Sequence, residues 1–76
     1  MKHKYEILNH LKRHRLLKDG LTQQDLADRA GVTRQTIVSI EKGRYNPTVG
    51  LALKLAAIFE VPVEDLFALD EGESDE

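Results

Sequence analysis

The chain has 76 residues, 41% hydrophobic and 32% charged, which is room for one small soluble domain and not two. No run approaches the roughly 20 apolar residues of a membrane span, and no apolar stretch of signal-peptide length follows the basic N-terminus, so the expected location is the cytoplasm. The absence of cysteine excludes disulfides and thiolate–metal sites, while the net charge of −2 hides a division: residues 1–48 carry ten Lys/Arg against five Asp/Glu, and residues 49–76 carry one against eight.

The first helix is expected from about Glu6 to Leu17. Ile7, Leu8, Leu11 and one of Leu16 and Leu17 fall near helical spacing, with Lys12, Arg13 and Arg15 facing water. His10 and His14 share a helix face at i,i+4, but no third ligand lies near them, so neither a metal nor a cofactor is expected. Asp19-Gly20 ends the helix. Thr22 then starts a second helix, Gln23 to Ala30, with Asp25 three residues on as the acid of a capping box. Gly31 stops it. Thr33 caps a third helix, Arg34 to about Lys42, whose β-branched Thr36, Ile37, Val38 and Ile40 make it dependent on tertiary packing. Gly43 ends that helix, and Arg44-Tyr45-Asn46-Pro47 reads as a loop.

Thr48 caps a fourth helix that reaches Phe59, with Leu51, Leu55 and Ile58 as its stripe, widened by Ala52, Leu53, Ala56 and Phe59. Gly50 is an awkward residue in its first turn. Pro62 precedes a short fifth helix, Val63 to Leu69, anchored by Leu66, Phe67 and Leu69. The expected organisation is therefore one domain over residues 1–69, followed by a disordered acidic tail, 70–76, that lacks apolar content.

The decisive feature is the pair of short helices joined through Gly31-Val32. A glycine-containing turn between two such helices is the helix-turn-helix geometry, whose second helix enters the major groove of DNA. Ala27 lets the helices cross closely, and Val32 and Ile37 plug the junction. The outer face of the third helix then presents Arg34, Gln35 and Thr36 early, with Ser39 one turn on. Arginine can bond bidentately to guanine, glutamine to adenine, and the hydroxyls bond adaptably, while a threonine methyl can touch thymine. Gln23 lies at the first turn of the second helix, where free N–H groups favour a phosphate. Thr33, Lys42, Arg44 and Asn46 flank the reading helix and are candidates to grip phosphates. Thr22 and Thr33 are caps first, and Glu41 reads as structural, bonded to a loop or to a base elsewhere in the fold.

The ordered set Gly20-Leu21-Thr22-Gln23-Gln24-Asp25-Leu26-Ala27, Gly31-Val32-Thr33-Arg34-Gln35-Thr36-Ile37, Ile40-Glu41-Lys42-Gly43, Asn46-Pro47-Thr48 and Phe59 to Phe67 resembles the Cro/C1-type (phage-repressor-like, XRE-type) helix-turn-helix family of regulators. The resemblance runs from about Leu8 to Phe67 and is to its small single-domain members. It implies an all-α, compact five-helix, lambda-repressor-like DNA-binding domain. It further implies that Gln23 contacts a phosphate, that Thr33, Arg34, Gln35, Thr36 and Ser39 form the reading face, and that Lys42, Arg44 and Asn46 approach the backbone. Three features depart from the family pattern. About one extra turn precedes Gly20, Gly50 replaces a helix former, and Glu60 stands where the family often has glycine. Glu60 is thus expected either in a left-handed conformation or at a helix end of another kind.

One short recognition helix reads few base pairs, so a homodimer on a two-fold operator is expected. Leu66, Phe67 and Leu69, with parts of the fourth helix, are the candidate interface; the alternative is that Leu66 and Phe67 only close the monomer core. No nucleophile–base pair and no Gly-rich phosphate loop point to an enzyme. The competing reading is an antitoxin-type or protein-bridging helix-turn-helix protein whose main partner is another protein.

Overall fold

The computed structural model describes residues 6–70. Five helices follow a short strand and precede another: β1 (Glu6–Asn9), α1 (Leu11–Leu17), α2 (Gln23–Ala30), α3 (Arg34–Glu41), α4 (Val49–Phe59), α5 (Val63–Leu66) and β2 (Phe67–Asp70). The five expected helices are present. The two ends differ from expectation: β1 and β2 pair antiparallel, with Ile7 opposite Leu69 and Asn9 opposite Phe67. The first helix therefore begins at Leu11 rather than Glu6, and the fifth ends at Leu66 rather than Leu69. Asp70 belongs to β2 and not to a tail; residues 71–76, where the rest of the expected acidic tail falls, lie outside the described residues.

Asn9 explains where α1 starts. Its side-chain oxygen accepts from the Leu11 N–H at 3.2 Å, and its amide donates to the Ile40 carbonyl at 2.6 Å. One residue thus breaks the first helix from the strand and ties that junction to the end of α3.

The starts of α2, α3 and α4 follow the caps expected. Thr22, Thr33 and Thr48 each accept a hydrogen bond from the backbone N–H three residues on. Asp25 completes a reciprocal capping box with Thr22, whose backbone N–H and then hydroxyl hold the Asp25 carboxyl below its ordinary value of 3.8. The ends of these helices share one device. Gly31, Gly43 and Glu60 all take left-handed φ, at 74°, 75° and 60°. At each end two backbone N–H groups bond back to carbonyls of the last turn: Val32 to Ala27, Arg44 to Ser39 and Val61 to Ala56 are the outer bonds. Glycine takes this conformation without steric cost; Glu60 does not.

The core gathers Leu11, Leu21, Leu26, Ala27, Ala30, Ile37, Ile40, Leu55, Ala56, Phe59 and Leu66 from every helix and the α1–α2 loop. Ala27 and Ala30 have no bulk, which lets α3 and α4 close on α2. Leu66 is fully buried here and so is a core residue rather than a free interface residue, whereas Leu69 is 58% exposed and Phe67 is half-buried.

Arg15 overturns another expectation. It does not face water: it is buried, and Leu16 and Leu17 are the exposed residues of that turn. Its guanidinium donates to both oxygens of Glu41, at 2.7 and 3.2 Å, and to the Leu21 carbonyl at 2.7 Å. The two charged side chains are only 8% and 4% exposed, so the pair is shielded from solvent screening. Glu41 thus has the structural role read from sequence, joining α1 to the end of α3. Lys54, the one base of the acidic half, reaches the Ala30 carbonyl at 3.1 Å and places a positive charge at the C-terminal end of α2.

Candidate nucleic-acid interface

The helix α3 is fixed at both ends. Thr33 caps its N-terminus, and at the C-terminal end Glu41 is held by Arg15 while the Ile40 carbonyl is held by Asn9. Its inner face puts Ile37 and Ile40 into the core. By the 3.6-residue period, the residues between them turn outward.

Arg34 and Gln35 are exposed, and Thr36 and Ser39 are half-buried beside them. Gln35, Thr36 and Ser39 share one surface with Thr33, and Arg34 stands in the first turn of α3. The Gln35 amide lies 3.4 Å from the Ser39 hydroxyl, one turn away, and the Thr33 and Thr36 hydroxyls are 3.1 Å apart. These are local and solvent-exposed bonds, easily exchanged for bonds to a ligand. The Arg34 side chain has no hydrogen-bond partner among the described residues and is available as a planar, five-donor fork.

Lys42, Arg44 and Asn46 continue this surface into the loop after α3, and all three are exposed. The left-handed turn at Gly43 brings the chain back, with the Arg44 N–H bonded to the Ser39 carbonyl at 2.9 Å. Arg34 at the start of α3, and Lys42 and Arg44 just beyond its end, are exposed cations. The nearby acids are committed elsewhere: Glu41 to Arg15, Asp25 to Thr22, and Asp28 to the Gln24 amide at 2.8 Å.

Gln23 has a position that sequence reasoning did not specify. It is half-buried, and its amide donates to Glu41 Oε1 at 3.1 Å. That bond fixes the side chain while an amide has a second N–H to give. The buried ion pair, the start of α2 and the end of α3 are thus one hydrogen-bonded unit.

Sequence reasoning passed over Tyr45. It stands with Thr33, Gln35, Thr36 and Ser39 around a shallow notch of about 250 Å³. The signal available was its place in a loop of basic and polar residues immediately after the reading helix, where an aromatic has no core to fill.

Among the described residues, no group of three or more His, Cys, Asp or Glu is placed to hold a metal ion, and no helix is long and apolar enough to cross a membrane. His14 is instead used within the fold: its ring lies 3.2 Å from the His10 carbonyl and tilts against Phe59.

The helix-turn-helix family model matches residues 11–66, from the first residue of α1 to the last of α5. Among curated relatives, the chain is 51% identical over 65 residues to an uncharacterized HTH-type transcriptional regulator of Methanocaldococcus jannaschii, covering 86% of this chain and 97% of that one. It is 52% identical over 56 residues to another such regulator from Archaeoglobus fulgidus, covering 74% of this chain and 80% of that protein. It is also 48% identical over 52 residues to the uncharacterized HTH-type transcriptional regulator YgzD of Bacillus subtilis, covering 68% and 79%. With the family model spanning every helix, and the capped α2–turn–α3 unit at its centre, the chain belongs to the helix-turn-helix family of Cro/XRE type.

Proposed function

We propose that this protein is a sequence-specific double-stranded DNA-binding regulator of transcription, acting as a repressor, that reads the major groove with α3. The carrying observation is the outward pair Arg34–Gln35 at the start of a helix whose other end is anchored by the buried Arg15–Glu41 pair. A helix held this way has its backbone ordered before binding, so only its side chains lose freedom when DNA is bound. Arg34 suits guanine and Gln35 suits adenine, with Thr36 and Ser39 as adaptable partners. Gln23, Thr33, Lys42, Arg44 and Asn46 serve the phosphates on either side. The relatives to which the chain is similar are named HTH-type transcriptional regulators. Occupation of a site that overlaps a promoter is repression. The setting is cytoplasmic, and the working form is a homodimer on a two-fold operator, joined through Phe67, Leu69 and the β1–β2 ribbon. No observation favours a protein-bridging role over this one.

Selection from a random duplex library at low ionic strength tests the reading, and one motif is expected to be enriched. Arg34→Ala should then lose discrimination at one base pair by about 1–3 kcal/mol. Lys42→Ala should weaken binding evenly across sequences and lower the salt slope by about one unit. An unenriched library overturns the reading, as does an Arg34→Ala variant weakened equally on all sites.

A further inference from the structure

We propose that Tyr45 is a specificity-determining residue, whose ring and the side chains of Thr33, Thr36 and Ser39 form a notch for the 5-methyl edge of a thymine in the operator. The inference rests on the proposed reading of DNA by α3. Its starting point is the fold of the loop. The left-handed Gly43 and the bond from the Arg44 N–H to the Ser39 carbonyl bring the chain back at the end of α3. Tyr45 thereby reaches the reading surface and lines the notch there with Thr33, Gln35, Thr36 and Ser39.

The chemistry of the walls selects the occupant. The lining is mostly apolar, and its residues supply two threonine methyls and an aromatic ring beside hydroxyls and the Gln35 amide. A thymine edge presents the matching pattern, a methyl group beside a carbonyl acceptor, whereas cytosine presents an amino group and no methyl. Charge supplies the approach: Arg34 at the start of α3, and Lys42 and Arg44 just beyond its end, are exposed cations that attract the polyanion carrying the base. Tyr45 is 42% exposed, while the other two described aromatic residues of the phenyl type, Phe59 and Phe67, pack in or against the core. An aromatic left half in water gains its full burial only when a ligand covers it.

The test uses the full-length protein and the duplex it selects. Each thymine of the operator is replaced in turn by deoxyuridine, which removes only the methyl group. One thymine per half-site is expected to be sensitive, its loss costing wild-type affinity about three- to fivefold. In Tyr45→Ala the same replacement should cost nothing, and in Tyr45→Phe it should cost as much as in the wild type. If Tyr45→Ala does not fold, as judged by circular dichroism, Thr36→Ser is read in its place, since it removes one methyl wall of the same notch. The proposal is overturned if no thymine is sensitive in the wild type, or if the sensitivity persists undiminished in the folded variant. It is also overturned if Tyr45→Phe loses the effect, because the hydroxyl and not the ring would then make the contact. Failure of the DNA-reading proposal itself looks different: the wild type would select no sequence at all.

Discussion

Glu60 shows how a single residue can stand against its local backbone. It ends α4 with φ 60° and ψ 42°, a conformation that costs a side chain with a Cβ roughly 1–2 kcal/mol. The turn nevertheless forms because the N–H groups of Glu60 and Val61 both find carbonyls of the last helical turn, and Val61 packs on the core. Glu60 is exposed, and no hydrogen bond is made by its side chain among the described residues, so little is lost by removing it. Glu60→Gly should therefore stabilise the protein by about 0.5–1 kcal/mol, the strain relieved less the entropy glycine brings to the unfolded chain. Thermal unfolding should move up by about 3–6 °C. Glu60→Ala, which keeps the Cβ, should show no such gain; an equal rise in both variants would mean that charge and not backbone strain was relieved. This position was legible through the family resemblance, in which Glu60 stands where glycine is frequent, leaving either a left-handed residue or a helix end of another kind.

At the scale of elements, the three capped helices were legible because threonine caps and glycine stops are local signals that need only a few neighbouring residues. The ribbon was not legible. Ile7 and Leu8 in Glu6-Ile7-Leu8-Asn9 continue the apolar spacing of α1, and so short a segment fits a strand as well as a helix. What decides it is pairing with Phe67–Asp70, some sixty residues away, which no local pattern contains. Arg15 was misjudged for a related reason. Its charge argued for water, yet it lies four residues after Leu11 and so on the same buried face. Only the fold brings Glu41 within reach of it. The site inherits this split: Arg34, Gln35, Thr36 and Ser39 followed from helix period and chemistry, while the bond from Gln23 to Glu41 and the place of Tyr45 depend on how elements meet. The ion pair also has a measurable consequence. Glu41→Ala leaves a buried guanidinium without its anion, a loss of about 3–5 kcal/mol. That is a large share of the total stability of about 5–15 kcal/mol typical of a domain. The double variant Arg15→Met/Glu41→Leu removes both charges and should recover part of that loss in urea titration, less the cost of the Leu21 carbonyl and Gln23 amide that lose their partners. If the double variant is as unstable as Glu41→Ala, the two side chains do not act as a pair.

For the whole molecule, the central question is how one reading helix becomes selective. A single α3 touches few base pairs, and two copies related by a two-fold axis double the readout at half-sites about 34 Å apart, or a multiple of that. The surface best suited to pair two copies is the β1–β2 ribbon. Ile7, Leu8 and Leu69 are all at least 40% exposed on it. A shallow groove lined by Ile7, Glu64, Phe67, Ala68 and Leu69 runs beside them. Two strands of four residues are marginal by themselves, and each has an outer edge of backbone groups that a second copy can cover. The ribbon is also tied to the reading helix, since Asn9 of β1 donates to the Ile40 carbonyl at the end of α3. Pairing there would set the distance between two recognition helices rather than merely raise local concentration. Light scattering across a dilution series should give the mass of two chains at tens of micromolar, with or without operator. Leu69→Asp, at a residue exposed in the monomer, should leave the helical circular dichroism intact and return the mass of one chain. Operator affinity should then fall at least tenfold, because each half-site is bound alone, while affinity for bulk DNA at low salt should fall far less. A wild-type protein that keeps the mass of one chain at high concentration and on its operator would remove the ribbon as the assembly surface, and selectivity would then have to come from a single α3.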